Sequence, residues 1–155
     1  MSPRAAWRLE SLGFAEVYDY AAGKADWFAR GLPIEGDRAG VPRIGAAARA
    51  DVPTCALDER ASDVARRVKA AGWDTCIVVA DGAIVLGRLF SSELDAASDE
   101  AVEHVMRSGP STFRPNVTVK EMAGFLDDRG IWTALVTTSE GRLVGLFRRT
   151  DAGEA

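Results

Sequence analysis

No apolar run in this sequence approaches the roughly 20 residues that a bilayer-spanning helix requires. The opening Met1-Ser2-Pro3-Arg4 also lacks the apolar stretch of a signal peptide. No membrane partner is expected, and the expected compartment is the cytoplasm. A basic excess is missing too: 19 Lys and Arg stand against 23 Asp and Glu, with a sequence pI near 5.1. That balance argues against a phosphate-backbone footprint, so nucleic acid is not an expected partner, although local basic clusters suffice for one small anion. There are two cysteines and one histidine. Cys55 and Cys76 lack the spacing and companion histidines of a zinc site and read as buried free thiols in strands. His104 falls on a short helix, Glu100 to Met106, with no second ligand, so no metal is expected. No carboxylate pair and no Ser/His/Asp set has spacing that suggests catalysis, and no catalytic residue is assigned. The acidic run Glu93, Asp95, Asp99, Glu100 and Glu103 reads as a solvated face.

What is present is enough apolar material, 47% of 155 residues, for one sizeable core or a small core plus an appendage. The most informative stretch runs from Gly109 to Asp151. Pro110 to Arg114 reads as a strand entry. Thr118 followed by Glu121 forms a capping box, so a helix starts near Val119. Val119, Met122, Ala123 and Leu126 fall on one face, and Gly130 supplies the left-handed end. Thr133 to Thr137 and Arg142 to Phe147 then flank Ser139-Glu140-Gly141 as an antiparallel hairpin. The unit is β-α-β-β.

The unit occurs twice, with a period of 58 residues from Gly72 to Gly130. Val64, Ala65 and Val68 stand for Met122, Ala123 and Leu126, and Cys76-Ile77-Val78-Val79 for Ala134-Leu135-Val136-Thr137. The apolar pattern rather than identity carries the duplication.

The runs Val102-Glu103-His104-Val105-Met106, Ser111 to Val119, Asp128-Arg129-Gly130-Ile131 and Glu140 to Gly145 resemble a cystathionine-β-synthase (CBS) domain. Val52 to Leu94 resembles a more divergent copy. Such domains work in pairs, and the resemblance implies a regulatory module that senses adenosine-containing ligands. The fold class expected is α+β or α/β: two β-α-β-β units related by a pseudo-twofold axis, with a small N-terminal α/β appendage. The divisions are 1–36 appendage, 37–50 linker, 51–98 first unit and 99–155 second unit.

At the start, Ser2 to Leu12 reads as a helix, Ala15 to Tyr20 as a strand, and Lys24 to Arg30 as a short helix closed by Gly31. Ser2 to Trp7, Val17 to Tyr20, Gly23 to Trp27 and Gly31-Leu32-Pro33 resemble the C-terminal end of a rhodanese-type sulfurtransferase. In that family the persulfide cysteine lies upstream of the first of these helices. The resemblance therefore implies a relic, or the end of a longer product, without sulfurtransferase activity. Trp7, Tyr18, Tyr20, Trp27 and Phe28 need burial, which a fold-back over the pair would supply.

The CBS resemblance also implies where a ligand would sit. The family meets ribose and phosphate with a glycine, a hydroxyl three residues later and an Asp three beyond. Here the second copy reads Gly145, Arg148, Asp151, and the first Gly87, Phe90, Glu93. The candidate ligand residues are accordingly Asp151, Arg148, Arg149, Thr150, Glu93, Ser91 and Ser92, joined by Ile131, Trp132, Thr133, Trp73 and Asp74 beside the helix-ending glycines. Arg148 and Arg149 read either as a phosphate contact or as a solvated strand end, and Phe90 as a residue that narrows the pocket. The tryptophans read either as base-stacking or as core. The ligands implied are AMP, ADP, ATP or S-adenosylmethionine. The unit's usual closing helix is nearly missing after Asp151, so Leu146 and Leu135 are expected to need cover from the N-terminal segment or a second subunit. The resemblance also implies a homodimer through the CBS units, since such pairs commonly stack into disc-like dimers. Two other classes stay open: a ligand-free interaction scaffold, and a sulfurtransferase missing its catalytic half.

Overall fold

The computed structural model describes residues 2–153. In chain order its helices are α1 (Ser2–Ser11), α2 (Gly23–Ala29), α3 (Ile44–Ala47), α4 (Ala61–Ala70), α5 (Ser91–Asp95), α6 (Val102–Val105) and α7 (Val119–Arg129). The strands are β1 (Thr54–Cys55), β2 (Cys76–Ala80), β3 (Ile84–Leu89), β4 (Arg107–Ser108), β5 (Thr112–Phe113), β6 (Thr133–Thr137) and β7 (Leu143–Arg148). Local chemistry starts α7 as expected: the Glu121 N–H donates to Thr118 Oγ1 (3.2 Å), and Glu121 Oε2 accepts from the Thr118 N–H (3.1 Å). Gly130, at φ 61°, ends it.

Two sheets form, ordered β1-β2-β3-β4 and β5-β6-β7. Their registers match residue for residue at the 58-residue offset. Thr54 pairs with Ile77 in parallel, as Thr112 does with Leu135, and Cys76 pairs with Leu89 antiparallel, as Ala134 does with Phe147. Even the irregularities correspond, at Val78/Val79 and Val136/Thr137. Ile84 bridges Arg142, and the Val85 N–H donates to Gly141 O at 3.0 Å. Ile84 and Arg142 are each other's equivalents, so the pseudo-twofold axis passes between them.

The segment read as a linker is structured. Ile44 is fully buried in the core of the second unit, and its equivalent Val102 is fully buried in that of the first. The Ile44 N–H donates to Val117 O (3.0 Å) and the Val102 N–H to Glu59 O (2.9 Å), again one offset apart. Arg49 then bridges Leu146 on the edge of β7, as Arg107 pairs with Arg88 on β3. Each repeat's lead-in is thus seated on the other repeat's sheet. This crossing explains Gly87 and Gly145: a Cβ at Gly145 would lie 2.7 Å from Arg49 O, and one at Gly87 2.4 Å from Met106 Sδ. At Gly145 the obstacle is backbone, so only a residue without a side chain lets the lead-in pass; at Gly87 the flexible Met106 side chain would have to move, with Arg107 O at 3.1 Å behind it.

Three expectations are corrected. Residues 15–20 form no strand: they pair with neither sheet, and a lone strand leaves its N–H and C=O groups unpaired. Leu146 and Leu135 need no cover from the N-terminal segment or a second subunit, since both are at most 2% exposed within a core cluster they share with Ile77 and Val78 of the first repeat. The appendage buries only part of its aromatic surface. Trp27 packs edge-on to Tyr20 and Arg43 covers Phe28, but Trp7 and Tyr18 remain 69% and 86% exposed.

Candidate functional site

The duplication sets out two equivalent cleft positions between the repeats, and the sequence fills them differently. The first is open, with a volume of about 780 Å³. Asp74 and Thr75 come from just before β2, Arg88 from the end of β3, Phe90 from just after it and Ser91 from the first residue of α5. Arg107 of β4, Phe113 of β5, Phe125 and Arg129 of α7 and the Gly130–Thr133 turn complete the lining, with the Phe113 and Phe125 rings packed edge-on at 5.1 Å. Of the residues singled out from sequence, Asp74, Ser91, Ile131, Trp132 and Thr133 line this cavity together. Ile131 and Trp132 are 40% and 68% exposed, so their apolar surface is available to an occupant.

Arg88 stands at its floor, where sequence reasoning had not placed a binding residue. It is 7% exposed on a strand that is otherwise apolar or glycine. Its Nε donates to Thr75 Oγ1 (2.9 Å) and its Nη2 to Thr133 Oγ1 (3.0 Å). Thr75 and Thr133 are equivalent positions, so one guanidinium ties the two repeats together across the axis; the equivalent of Arg88 is Leu146. The guanidinium also lies 4.3 Å from the Phe90 ring centroid, with Arg107 over the same ring at 4.9 Å. Among the described residues no carboxylate forms an ion pair with Arg88. Burial pulls its pKa below the ordinary arginine value, and Asp74 opposes the shift. Asp74 acts on this buried cation without forming an ion pair, so an anion entering the cavity meets a charge that is incompletely neutralised. The signal was an arginine inside a strand that periodicity assigns to the core.

The carboxylates that follow β3 and β7 do similar work in both repeats. Asp151 Oδ2 accepts from the Arg148 N–H and Glu93 Oε2 from the Phe90 N–H, each at 2.9 Å. Both therefore tie the turn that leaves the last strand. Glu93 Oε1 further accepts from Arg107 Nη2 (2.8 Å) and Ser92 Oγ (2.9 Å). Burial pushes Glu93 up, but Arg107, the Phe90 N–H and Ser92 outweigh it and hold the carboxyl below its ordinary value. Thr150 Oγ1 lies 3.4 Å from Asp151 Oδ1. Arg149 pairs with Asp127 and lies 5.5 Å from the Trp132 ring.

The second cleft differs at its centre. Trp73, the equivalent of Ile131, is 7% exposed, with the Arg49 guanidinium 4.5 Å and that of Arg148 4.2 Å from its ring centroid. Arg49 is held by Asp51 through Nε (3.0 Å) and Nη2 (2.6 Å). The candidates of this cleft, Trp73 and Arg148, are thus in contact with each other. Elsewhere, Cys55 and Cys76 are buried, and the Cys76 thiol is pushed up by the neighbouring Cys55 sulfur and by burial, which disfavours the thiolate. His104 is exposed, 3.7 Å from Glu103. No helix among the described residues is long and apolar enough to cross a membrane.

Residues 102–153 match the family model of the CBS domain. No curated protein matches the sequence. Among solved structures, the chain is similar to CBSX2 in complex with AMP, at TM-score 0.65 and 15% identity, covering 73% of this chain and 94% of that one. It is similar to the CBS domain pair of protein MJ0100 in complex with 5'-methylthioadenosine and S-adenosyl-L-methionine, at TM-score 0.63 and 14% identity, covering 74% and 94%. It is also similar to the cytosolic domain of the Mg2+ channel MgtE in complex with ATP, at TM-score 0.65 and 20% identity over 73% of this chain. The chain spans 48% of that MgtE chain and 47% of protein MJ1225 from Methanocaldococcus jannaschii. At these identities the likeness is one of fold, that of a CBS pair.

Proposed function

We propose that the chain is a non-catalytic regulatory module that binds one adenosine-containing ligand, AMP, ADP, ATP or S-adenosylmethionine, in the open cleft between its two repeats. The observation that carries this reading is Arg88, a buried guanidinium without an ion-pair partner at the floor of a cavity walled by Phe90, Phe113, Phe125 and Trp132. Aromatic faces suit a purine, and a cation in low dielectric suits a phosphate. The cavity is also of the size small ligands occupy. Matched proteins of the same fold hold AMP, ATP and S-adenosyl-L-methionine, which supports the choice of ligand class. Ligand contacts that reach both Thr75 and Thr133 through Arg88 would couple occupancy to the relative setting of the repeats, which is what a regulatory domain transmits.

Calorimetric titration with AMP, ATP and S-adenosylmethionine tests the proposal. AMP is expected to bind, and Arg88→Met to weaken it at least tenfold, about 1.4 kcal/mol. The variant should still fold, because the replacement exchanges a buried charge for apolar volume. Flat traces with all three ligands would favour the scaffold reading, which the closed second cleft supports. Residues 1–36 enter as a flank of the module rather than as a sulfurtransferase, since both cysteines of the chain are buried in β1 and β2.

A further inference from the structure

We propose that the seam between residues 24–43 and the second repeat is a binding site of its own, taking a small organic anion: a phosphate or carboxylate carried on an aromatic or apolar body. It lies outside the cleft between the repeats and shares no lining residue with it. The two sites therefore stand or fall separately.

The cavity at the seam has a volume of about 600 Å³. Trp27, Phe28 and Ile34 give it apolar walls, and Lys24, Arg38 and Arg43 bring three cations to its lining. None of the three forms an ion pair among the described residues. The lining also holds two carboxylates, which the cations outnumber. One of these, Glu121, is committed to the start of α7, where its Oε2 accepts from the Thr118 N–H (3.1 Å) and hydroxyl (2.7 Å); the other, Glu35, is exposed. Arg43 stands where two cavities meet. With Phe28 and Ile34 it also lines a smaller one of about 290 Å³, which Leu32, Val41, Pro42 and Pro115 make apolar. Its guanidinium lies 4.5 Å from the Phe28 ring centroid, and its Nη1 donates to Asn116 O at 2.7 Å. The Nε–H is buried and has no acceptor. A cation left half-satisfied in a partly enclosed site gains from a counter-charge, which a phosphate or carboxylate would supply. The charged arm of the seam selects the anion, and the apolar arm selects what carries it. The aromatic wall is set beforehand, since Trp27 Nε1 donates to Pro33 O (2.9 Å) and its ring packs edge-on to Tyr20.

Phenyl phosphate, one ring bearing one phosphate, is the probe. It is titrated into the isotopically labelled full chain while the indole N–H signals of the four tryptophans are followed by NMR, with Trp27 assigned from Trp27→Phe. A saturable shift of the Trp27 signal is expected, and Arg43→Met is expected to weaken the binding about tenfold. The absence of a saturable shift at Trp27, a shift confined to Trp132 in the cleft between the repeats, or unchanged affinity in a folded Arg43→Met chain overturns the proposal. Should circular dichroism show that Arg43→Met does not fold, Lys24→Ala combined with Arg38→Ala takes its place, both side chains being exposed. A severalfold loss of affinity is then expected, and an unchanged affinity overturns the site.

Discussion

At the scale of single residues, the two repeats differ where one of them carries the less suitable side chain. Gly141 turns the second hairpin at φ 83°, and its equivalent Ala83 holds φ 62°. A methyl group in the left-handed region costs on the order of 1 kcal/mol. Ala83 is exposed and makes no compensating core contact. Ala83→Gly is therefore expected to stabilise the chain by about 0.5–1 kcal/mol in urea denaturation, after allowance for the extra freedom of glycine in the unfolded state. A loss of stability would mean that the hairpin is not strained. The glycine of the second copy was legible as a turn residue. The alanine was not, because its strained φ follows from its partner's geometry and not from any local propensity. Arg88 was hidden for a related reason: strand periodicity marks it as a core position but does not say that Thr75 and Thr133 converge on it from both repeats.

At the scale of elements, carboxylates fasten many of the turns. Glu121 holds the start of α7, Glu93 the turn after β3, Glu59 the loop before α4, and Asp51 anchors Arg49. In each the folded-state pKa is lowered: by Thr118 at Glu121, by Arg67 at Glu59, by Arg49 at Asp51, and at Glu93 by Arg107 and its neighbours against burial. A depressed carboxylate contributes stability that is complete above its unfolded pKa, near 4, and is lost as pH falls through the folded value. The urea midpoint is expected to stay level from about pH 7 to 5 and to fall below about pH 4.5, with Glu121→Gln removing part of the slope. A midpoint that held level to pH 3 would contradict these roles. The capped helix, its glycine stop and both hairpins were readable because their signals are local. The lead-in at α3 was not. Ile-Gly-Ala-Ala is too short for periodicity, and its place becomes visible only when Ile44 is laid on Val102. The strand expected at 15–20 failed in the opposite way, because its composition suits a strand but it pairs with neither sheet.

At the scale of the whole molecule, the crossed lead-ins make the repeats interdependent: neither core is complete without a residue from the other half. Trp7, Leu12 and Phe14 of the N-terminal segment remain as exposed apolar surface. A homodimer is the expected state in light scattering at micromolar concentration, with Trp7→Glu shifting it toward monomer. A wild-type monomer under those conditions would remove that assembly without touching the cleft. Duplication was legible from one 58-residue offset, whereas the inequality of the clefts was not, since it depends on what stacks against Trp73 in space.

The proposed function requires one open cleft that accepts a nucleotide beside one that is closed. Calorimetric titration of the unmodified chain with AMP measures this most directly. One equivalent bound per chain is the predicted result, and either no heat at any concentration or two equivalents would contradict it.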